Sequence, residues 1–249
     1  MKGLILAAGY ATRLYPLTKD KAKPLLPVGN RPVIGHILEK LERIAGLTEV
    51  VVVTNHKFHA QFREWIETQP FPVPLSVVDD GSQSEEDRLG AVGDILFVIR
   101  QRRLREDLLV VGGDNLFDFG LDSFVSFART KSPFPSVLLY DVGDLDLARH
   151  YGIAALDADG RVARLEEKPD APTSTLASMC VYYFPEKTLS FFEEYERLSH
   201  SKDAPGHYIR WLQEKKGIYG NVAQGMWYDI GDLTSYQKAC ETFEKGGKS

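Results

Sequence analysis

A small-residue loop followed by cations lies near the start of the chain, and its residue types suit phosphate binding. The apolar run at residues 3–8 ends at Gly9, and Arg13 and Lys23 follow it. Small residues let the backbone approach a ligand closely, so that free N–H groups can point at an anion. Arg13 and Lys23 would supply the positive charge. The alternative interpretation is a tight turn with cations on a solvent-exposed face, because the loop matches neither the Walker pattern nor the dinucleotide fingerprint.

Two acidic residues far apart in the chain are the candidates for holding a metal ion. Asp114 follows a glycine at the end of the apolar run 107–112, and Asp229 lies in the segment 226–232. Carboxylates bind Mg²⁺ together with phosphate oxygens and water. The alternative role for each is to cap a turn or helix, and we expect Asp232 to cap the last helix. The histidines form no pair with metal-ligand spacing.

Alternating strands and helices would bring these residues to one edge of a sheet. The pattern predicts strands at residues 3–8, 49–54, 74–78 and 107–112, and helices at 33–45, 56–68 and 91–103. This alternation is typical of a three-layer α/β domain on a mostly parallel sheet. Ligands bind such sheets at the carboxyl ends of the strands. The loop after the first strand and Asp114 would both lie at that edge.

The second half of the chain departs from this alternation. The pattern predicts a helix at 121–130, strands at 136–141 and 178–184, a hairpin of 151–156 with 162–166, helices at 186–200 and 207–214, a strand at 217–222 and a last helix at 235–245. Strands without intervening helices indicate antiparallel additions, so the sheet is expected to be mixed. We predict one domain over residues 1–249, with a hairpin-containing sub-lobe at about 145–185.

Composition limits the classes of partner that we expect. The chain has 249 residues, of which 43% are hydrophobic, and a formal net charge of -5. This balance does not suggest a nucleic-acid surface, and no apolar run reaches membrane-spanning length. Cys180 and Cys240 are the only cysteines and provide neither a disulfide framework nor a metal motif. We therefore expect a cytoplasmic protein without nucleic-acid or membrane partners.

Four separated motifs resemble those of the sugar-1-phosphate nucleotidylyltransferases, most of all the glucose-1-phosphate thymidylyltransferase and uridylyltransferase branch. They lie at residues 6–18, at 23–28, at 112–115, and at 166–169 together with 227–232. The resemblance covers essentially the whole chain. It implies a Rossmann-like α/β/α fold and Mg²⁺-dependent transfer from a nucleoside triphosphate to a sugar 1-phosphate, with release of pyrophosphate. It leaves a homo-oligomer open.

The resemblance also implies roles for the charged residues of these motifs. Arg13 would hold the leaving pyrophosphate, and Lys23 would contact the phosphates near the α-phosphorus. Asp114 and Asp229 would hold Mg²⁺, and Lys168 would bind the sugar phosphate. The chemistry agrees with these roles, because a sugar phosphate has a second pKa of about 6 and is already an anionic nucleophile. Catalysis would then consist of positioning and charge stabilisation, without a general base.

The remaining implied contacts belong to the sugar and the nucleoside. Glu167 would bind sugar hydroxyls, and Gly152 matches a glycine that contacts the sugar in the family. The residues implied at the base and ribose are Leu6, Ala8 and Gly9, with Gly90 nearby.

Several positions depart from the family pattern and leave the substrates unassigned. Ala11 stands where most relatives have a second glycine, and Cys180 where relatives often have one. The acidic loop 79–88 is longer than in the thymidylyltransferases and lacks their Gln-Pro element. Residues 202–207 replace a Gly-Glu-Leu-Glu stretch on the sugar side. Two alternatives remain, a cytidylyltransferase acting on a non-sugar phosphate such as phosphocholine and a non-catalytic nucleotide-binding regulator.

Overall fold

A nine-stranded mixed sheet lies at the centre of the computed structural model, which describes residues 1–198 and 203–246. The strands are β1 (Lys2–Leu6), β2 (Pro27–Val28), β3 (Arg31–Pro32), β4 (Glu49–Thr54), β5 (Leu75–Asp79), β6 (Leu108–Gly112), β7 (Asn115–Phe117), β8 (Ser136–Asp141), β9 (Gly152–Leu156), β10 (Val162–Glu167), β11 (Leu176–Phe184), β12 (Tyr219–Val222) and β13 (Trp227–Asp229). The helices are α1 (Val33–Glu42), α2 (His59–Glu67), α3 (Gly90–Arg102), α4 (Asp122–Thr130), α5 (Leu145–Ala148), α6 (Ser190–Arg197), α7 (Pro205–Lys216) and α8 (Leu233–Gly246).

The order of the strands explains why distant segments of the chain meet. The main path of the sheet is β10-β9-β11-β6-β1-β4-β5, and β8 pairs with β11 and β12. Strands β6, β1, β4 and β5 run parallel, whereas β11 pairs antiparallel with β6, β8 and β9. The carboxyl ends of β1 and β6 are therefore neighbours, with Leu6 opposite Gly112.

Helices cover both faces of the sheet, which makes the fold three-layered. Successive residues of a strand point to opposite faces, so Leu4 packs in one core with α3, α6 and α7, while Ile5 packs in the other with α1, α2 and α4. The predicted α/β/α fold with a mixed sheet is confirmed. A smaller apolar cluster, which includes Leu14, Ile230 and Ala239, anchors α8 beside the first loop.

Most predicted elements form, and the differences lie mainly at their ends. Strand β4 has the predicted bounds, but β1 ends at Leu6 rather than at residue 8, and α1 ends at Glu42 rather than at residue 45. The predicted helix at 186–200 forms only over α6, preceded by a short 3₁₀ turn, and its last two residues lie outside the described residues. The pattern did not predict the two-stranded sheet of β7 and β13.

In the part of the chain that the structure describes, no helix is long and apolar enough to cross a membrane. Nothing in the structure tests the single-domain assignment, which stays a prediction.

Candidate active site

A cavity of about 980 Å³ opens at the carboxyl ends of β1 and β6. The predicted site residues that line it are Leu6, Arg13, Asp114, Gly152, Glu167, Lys168 and Asp229. A second concavity, of about 630 Å³ beside Trp65 and Arg31, contains none of the predicted site residues. The larger cavity is therefore the candidate active site.

The first loop places Arg13 at the cavity through an unusual backbone conformation. Ala11 adopts a left-handed conformation with φ of 51°, and Thr18 Oγ1 donates a hydrogen bond of 2.7 Å to its carbonyl oxygen. A short 3₁₀ turn over Thr12–Leu14 follows, in which Leu14 is buried and Arg13 is exposed. The turn buries its apolar residue, so the guanidinium of Arg13 remains at the cavity.

Lys23 connects the two acidic segments of the site. Its Nζ atom lies 2.7 Å from Asp114 Oδ2 and donates a second hydrogen bond of 3.0 Å to the carbonyl oxygen of Ile230. A 3₁₀ turn holds Lys23, and the next two residues, Pro24 and Leu25, are buried. Lys23 itself is not among the described residues that line the cavity. Its contact with the lining of the cavity is the ion pair with Asp114.

Asp114 and Asp229 lie close together because β13 pairs with β7. This pairing puts Asp229 opposite Asn115, and Ile230 N donates a hydrogen bond of 3.1 Å to the Asp114 carbonyl oxygen. Burial raises the pKa of the Asp229 carboxyl to about 6, and the negative charge of Asp114 adds to this rise, while Lys23, Arg13 and Lys168 oppose it.

This carboxylate pair is suited to a divalent cation. A buried carboxyl whose pKa is raised partly by a second carboxylate lacks full compensation of its charge, and a cation would supply it. Within residues 1–198 and 203–246, no group of three or more His, Cys, Asp or Glu side chains could hold a metal. Two carboxylates with substrate oxygens and water are the donor set that Mg²⁺ prefers. The residues present therefore fit a divalent cation whose remaining ligands come from a bound molecule and water.

The turn that carries Asp114 is fixed by close backbone packing. Gly113 N donates a hydrogen bond of 2.8 Å to Leu6 O, and a Cβ atom on Gly113 would lie 2.6 Å from that oxygen. Asn115 is buried and accepts a hydrogen bond of 2.6 Å from Trp227 Nε1. Only glycine allows this approach of β6 to β1, which sets the Asp114 carboxylate beside the first loop.

The hairpin of β9 and β10 provides the predicted sugar side of the cavity. Gly152 pairs with Glu167 across the hairpin, and Lys168 N donates a hydrogen bond of 3.0 Å to the Tyr151 carbonyl oxygen. Burial raises the pKa of the Glu167 carboxyl, although Lys168 and His207 oppose the rise. A carboxyl of this kind can accept hydrogen bonds from hydroxyl groups in a partly dry site.

The first turn of α7 packs directly against Glu167. A Cβ atom on Gly206 would overlap Glu167 Oε2 and lie 2.9 Å from its carboxyl carbon. The absence of a side chain at Gly206 thus leaves room for the Glu167 carboxylate. Residues 203–206, which include this turn, also line the cavity.

Cys180 occupies an irregular point of β11 inside the cavity. The pairing of β11 with β8 shifts register between Ser178 and Tyr182, and Cys180 has a φ of 55°. Burial, followed by the charges of Asp114, Asp229 and Glu167, raises the pKa of the thiol, which stays protonated at neutral pH. Cys180 thus adopts a backbone conformation that favours glycine while it lines the cavity.

Of the residues predicted to contact the nucleoside, only some line the cavity. Leu6 lines the cavity and Asn55 Nδ2 donates a hydrogen bond of 2.9 Å to the Ala8 carbonyl oxygen. Ala8, Gly9 and Gly90 are not among the described residues that line the cavity, whereas Ala91 is. Their roles therefore stay predictions.

Several cavity residues were not selected as candidates from the sequence. They are Arg88, Asn115, Arg149, His150, Ser178 and Lys238. Arg88 lies two positions before the candidate Gly90, and this proximity is a signal in the sequence. Lys238 lies one helical turn after Ser235, which also lines the cavity. Arg149 and His150 carried no signal beyond their proximity to Gly152.

The fold and this site define a class of protein, and comparison with known sequences identifies it. Residues 2–246 match the Nucleotidyl transferase family, and the chain belongs to that family. The membership predicted from the four motifs is confirmed.

Individual relatives are similar over nearly the whole chain. A glucose-1-phosphate thymidylyltransferase from Streptomyces antibioticus is 30% identical over 235 residues, which cover 94% of this chain and 63% of that protein. A UTP–glucose-1-phosphate uridylyltransferase from Synechocystis sp. is 26% identical over 249 residues, covering 96% of this chain and 62% of that protein. The chain spans between about half and two thirds of the length of the curated relatives it matches.

A solved structure supports the same fold. A protein from Bacillus anthracis, provisionally named a glucose-1-phosphate thymidylyltransferase and solved in complex with a sucrose, superposes with a TM-score of 0.86. It is 26% identical, and the match covers 98% of this chain and 95% of that one.

Proposed function

We propose that the protein transfers a nucleoside monophosphate from a nucleoside triphosphate to a sugar 1-phosphate and releases pyrophosphate. The observation that carries this proposal is the grouping of Arg13, Asp114, Lys168 and Asp229 around one cavity, with Lys23 bound to Asp114. Relatives with this activity in their names, similar over more than nine tenths of the chain, add support.

The proposed reaction needs no covalent intermediate on the protein. A phosphate oxygen of the sugar 1-phosphate attacks the α-phosphorus, the bond from that phosphorus to the bridging oxygen breaks, and pyrophosphate leaves. The attacking phosphate is already an anion near neutral pH, with a second pKa of about 6, so no base is required. The difficulty is to bring two polyanions together, which calls for positioning and charge stabilisation.

Each cation of the site has a place in this scheme. Lys168, at the end of the hairpin, would bind the phosphate of the nucleophile. Lys23 would stabilise the negative charge that develops near the α-phosphorus, and Arg13 would bind the leaving pyrophosphate. Asp114 and Asp229 would hold Mg²⁺, which when bound supplies charge neutralisation and orientation for the triphosphate.

The substrate pair is not assigned by these residues. The relatives differ in base, since one is a thymidylyltransferase and another a uridylyltransferase. Tyr151 and Trp227, whose ring centroids lie 5.1 Å apart, also line the cavity and could contact a quaternary ammonium. A non-sugar phosphate such as phosphocholine is therefore worth testing beside the sugar phosphates.

The test is a matrix of the common nucleoside triphosphates against a panel of sugar 1-phosphates and phosphocholine. Pyrophosphate release and the nucleotide product are both measured, with Mg²⁺ and with excess chelator. We expect at least one sugar 1-phosphate to react in a metal-dependent way, and Asp114→Asn to lower that rate by about 10²-fold or more. The outcome against the proposal is that no sugar phosphate reacts, or that Asp114→Asn matches wild type. A reaction confined to phosphocholine would favour the cytidylyltransferase alternative.

A further inference from the structure

Two segments that depart from the family pattern touch each other at the cavity. Arg88, at the end of the acidic loop, lies with Nη2 2.9 Å from Asp203 Oδ2 and with Nη1 3.0 Å from Glu85 Oε1. Ala91 N also donates a hydrogen bond of 3.3 Å to the Asp203 carbonyl oxygen. Arg88 and Asp203 both line the cavity.

Each of these segments leads to a different side of the site. After Arg88, the chain enters α3 at Gly90. The next residue, Ala91, lines the cavity on the side expected for the nucleoside. Beyond Asp203, the chain enters α7, and Gly206 packs against Glu167 on the side expected for the sugar. The contact between Arg88 and Asp203 is therefore a direct connection between the two substrate sides, made by residues that are 115 positions apart in the chain.

We propose that Arg88 is a positioning residue whose ion pair with Asp203 couples nucleotide binding to sugar-phosphate binding. This inference rests on the proposed function. A triphosphate that orders the loop of Arg88 also orders the start of α7, so the sugar phosphate then binds with less loss of conformational entropy. The same reasoning applies in the reverse direction, because coupling of binding is reciprocal.

The size of the coupling follows from the exposure of the pair. The Arg88 and Asp203 side chains are 37% and 62% exposed, and exposed ion pairs are weak. We therefore expect about a three- to fivefold effect. Glu85 shares the guanidinium of Arg88, and this second contact fixes the orientation of the arginine within its own loop.

The experiment varies both substrates of the reactive pair and measures how KM for the sugar phosphate changes between low and saturating triphosphate. In wild type, we expect this KM to fall about three- to fivefold. Arg88→Ala, Asp203→Ala and the double variant should each lose most of this fall, and the double variant should be no worse than either single one. Exchanging the charges, with Arg88→Asp and Asp203→Arg together, should restore part of it. In all of them the change in KM for the sugar phosphate should exceed the change in kcat at saturation.

Arg100→Ala is the matched control. Arg100 lies on α3, which follows Arg88 in the chain, and its Nη2 atom pairs with Glu196 on α6 at 2.6 Å, away from the cavity. It should keep the wild-type coupling. The inference is overturned if wild type shows no coupling, if coupling survives in Arg88→Ala or in Asp203→Ala, or if the effects of the two substitutions add. A wild-type protein that turns over no substrate pair overturns the proposed function, and the inference with it.

Discussion

At the scale of single residues, Lys23 links the two acidic segments of the candidate active site. It joins Asp114 to the backbone at Ile230, next to Asp229, and thereby fixes the position of a cation between the two acidic segments. The proposed chemistry assigns Lys23 to the negative charge that develops near the α-phosphorus. Its side chain is only 15% exposed, so water screens its charge weakly.

We predict that Lys23→Ala lowers kcat/KM by about 10²- to 10³-fold, because a preorganised positive charge is lost where negative charge develops. Lys21→Ala is the control, since Lys21 is an exposed lysine two positions away. Steady-state kinetics with circular dichroism would distinguish lost catalysis from lost folding. A Lys23→Ala variant that folds and reacts as fast as Lys21→Ala would rule out the assigned role.

At the scale of elements, the site depends on helix starts that pack tightly against strand ends. Gly206, in the first turn of α7, leaves no room for a side chain beside Glu167. Asp94, in the second turn of α3, faces Asp80 after β5, and both carboxyls are buried. These two contacts lead to predictions that concern different properties of the protein.

The Gly206→Ala variant should raise KM for the sugar phosphate by about tenfold or more, because the new Cβ atom displaces the Glu167 carboxylate. Alanine favours a helix over glycine by about 1 kcal/mol, so a loss through weaker helix formation is not expected. Gly35→Ala on α1 is the matched control, since its Cβ atom would meet neighbours no closer than 3.4 Å. Equal KM values for the two variants would show that Glu167 does not contact the sugar phosphate.

The buried carboxyl of Asp94 should make the stability of the fold depend on pH. Burial, with the charge and hydrogen bond of Asp80, raises the pKa of Asp94 from 3.8 to about 8 in the folded protein. Between these values the folded state holds a proton that the unfolded chain releases, so the free energy of unfolding falls as pH rises from about 4 to 8. The slope from this group is about 1.4 kcal/mol per pH unit at most.

Asp94→Asn should remove this slope, because the amide does not titrate and can still donate a hydrogen bond to Asp80. Urea unfolding at pH 5, 6, 7 and 8 would measure it. Asp87→Asn in the exposed loop should keep the wild-type slope, since the pKa of Asp87 is lowered and acts below this window. Parallel stability curves for wild type and Asp94→Asn would contradict the buried protonated carboxyl.

At the scale of the whole molecule, the sequence pattern predicted buried strands and helices, but it did not predict contacts between residues far apart in the chain. The run at 49–54 forms β4 with the predicted bounds because its β-branched residues are covered on both faces of the sheet. By contrast, Lys23 and Asp114 are 91 positions apart, and no local pattern encodes the strand order that joins them. Family resemblance supplied the two residues as separate site candidates, but it did not supply their contact.

Other features were missed because their signals are short or depend on tertiary structure. Strand β13 has three residues, too few for a periodic pattern, yet its pairing with β7 brings Asp229 to Asp114. The left-handed conformation of Cys180 coincides with a register shift between β11 and β8, which no local pattern encodes. The contact of Arg88 with Asp203 required both loops to be placed first.

In the proposed reaction, both substrates lie in one cavity and react there directly, without a nucleophile from the protein. The stereochemical course at the α-phosphorus tests this claim, with the chiral α-thio analogue of whichever triphosphate reacts. We predict inversion of configuration, as expected for one in-line displacement. Retention would contradict the account, because it requires two displacements and hence a nucleotidyl group held covalently by the protein.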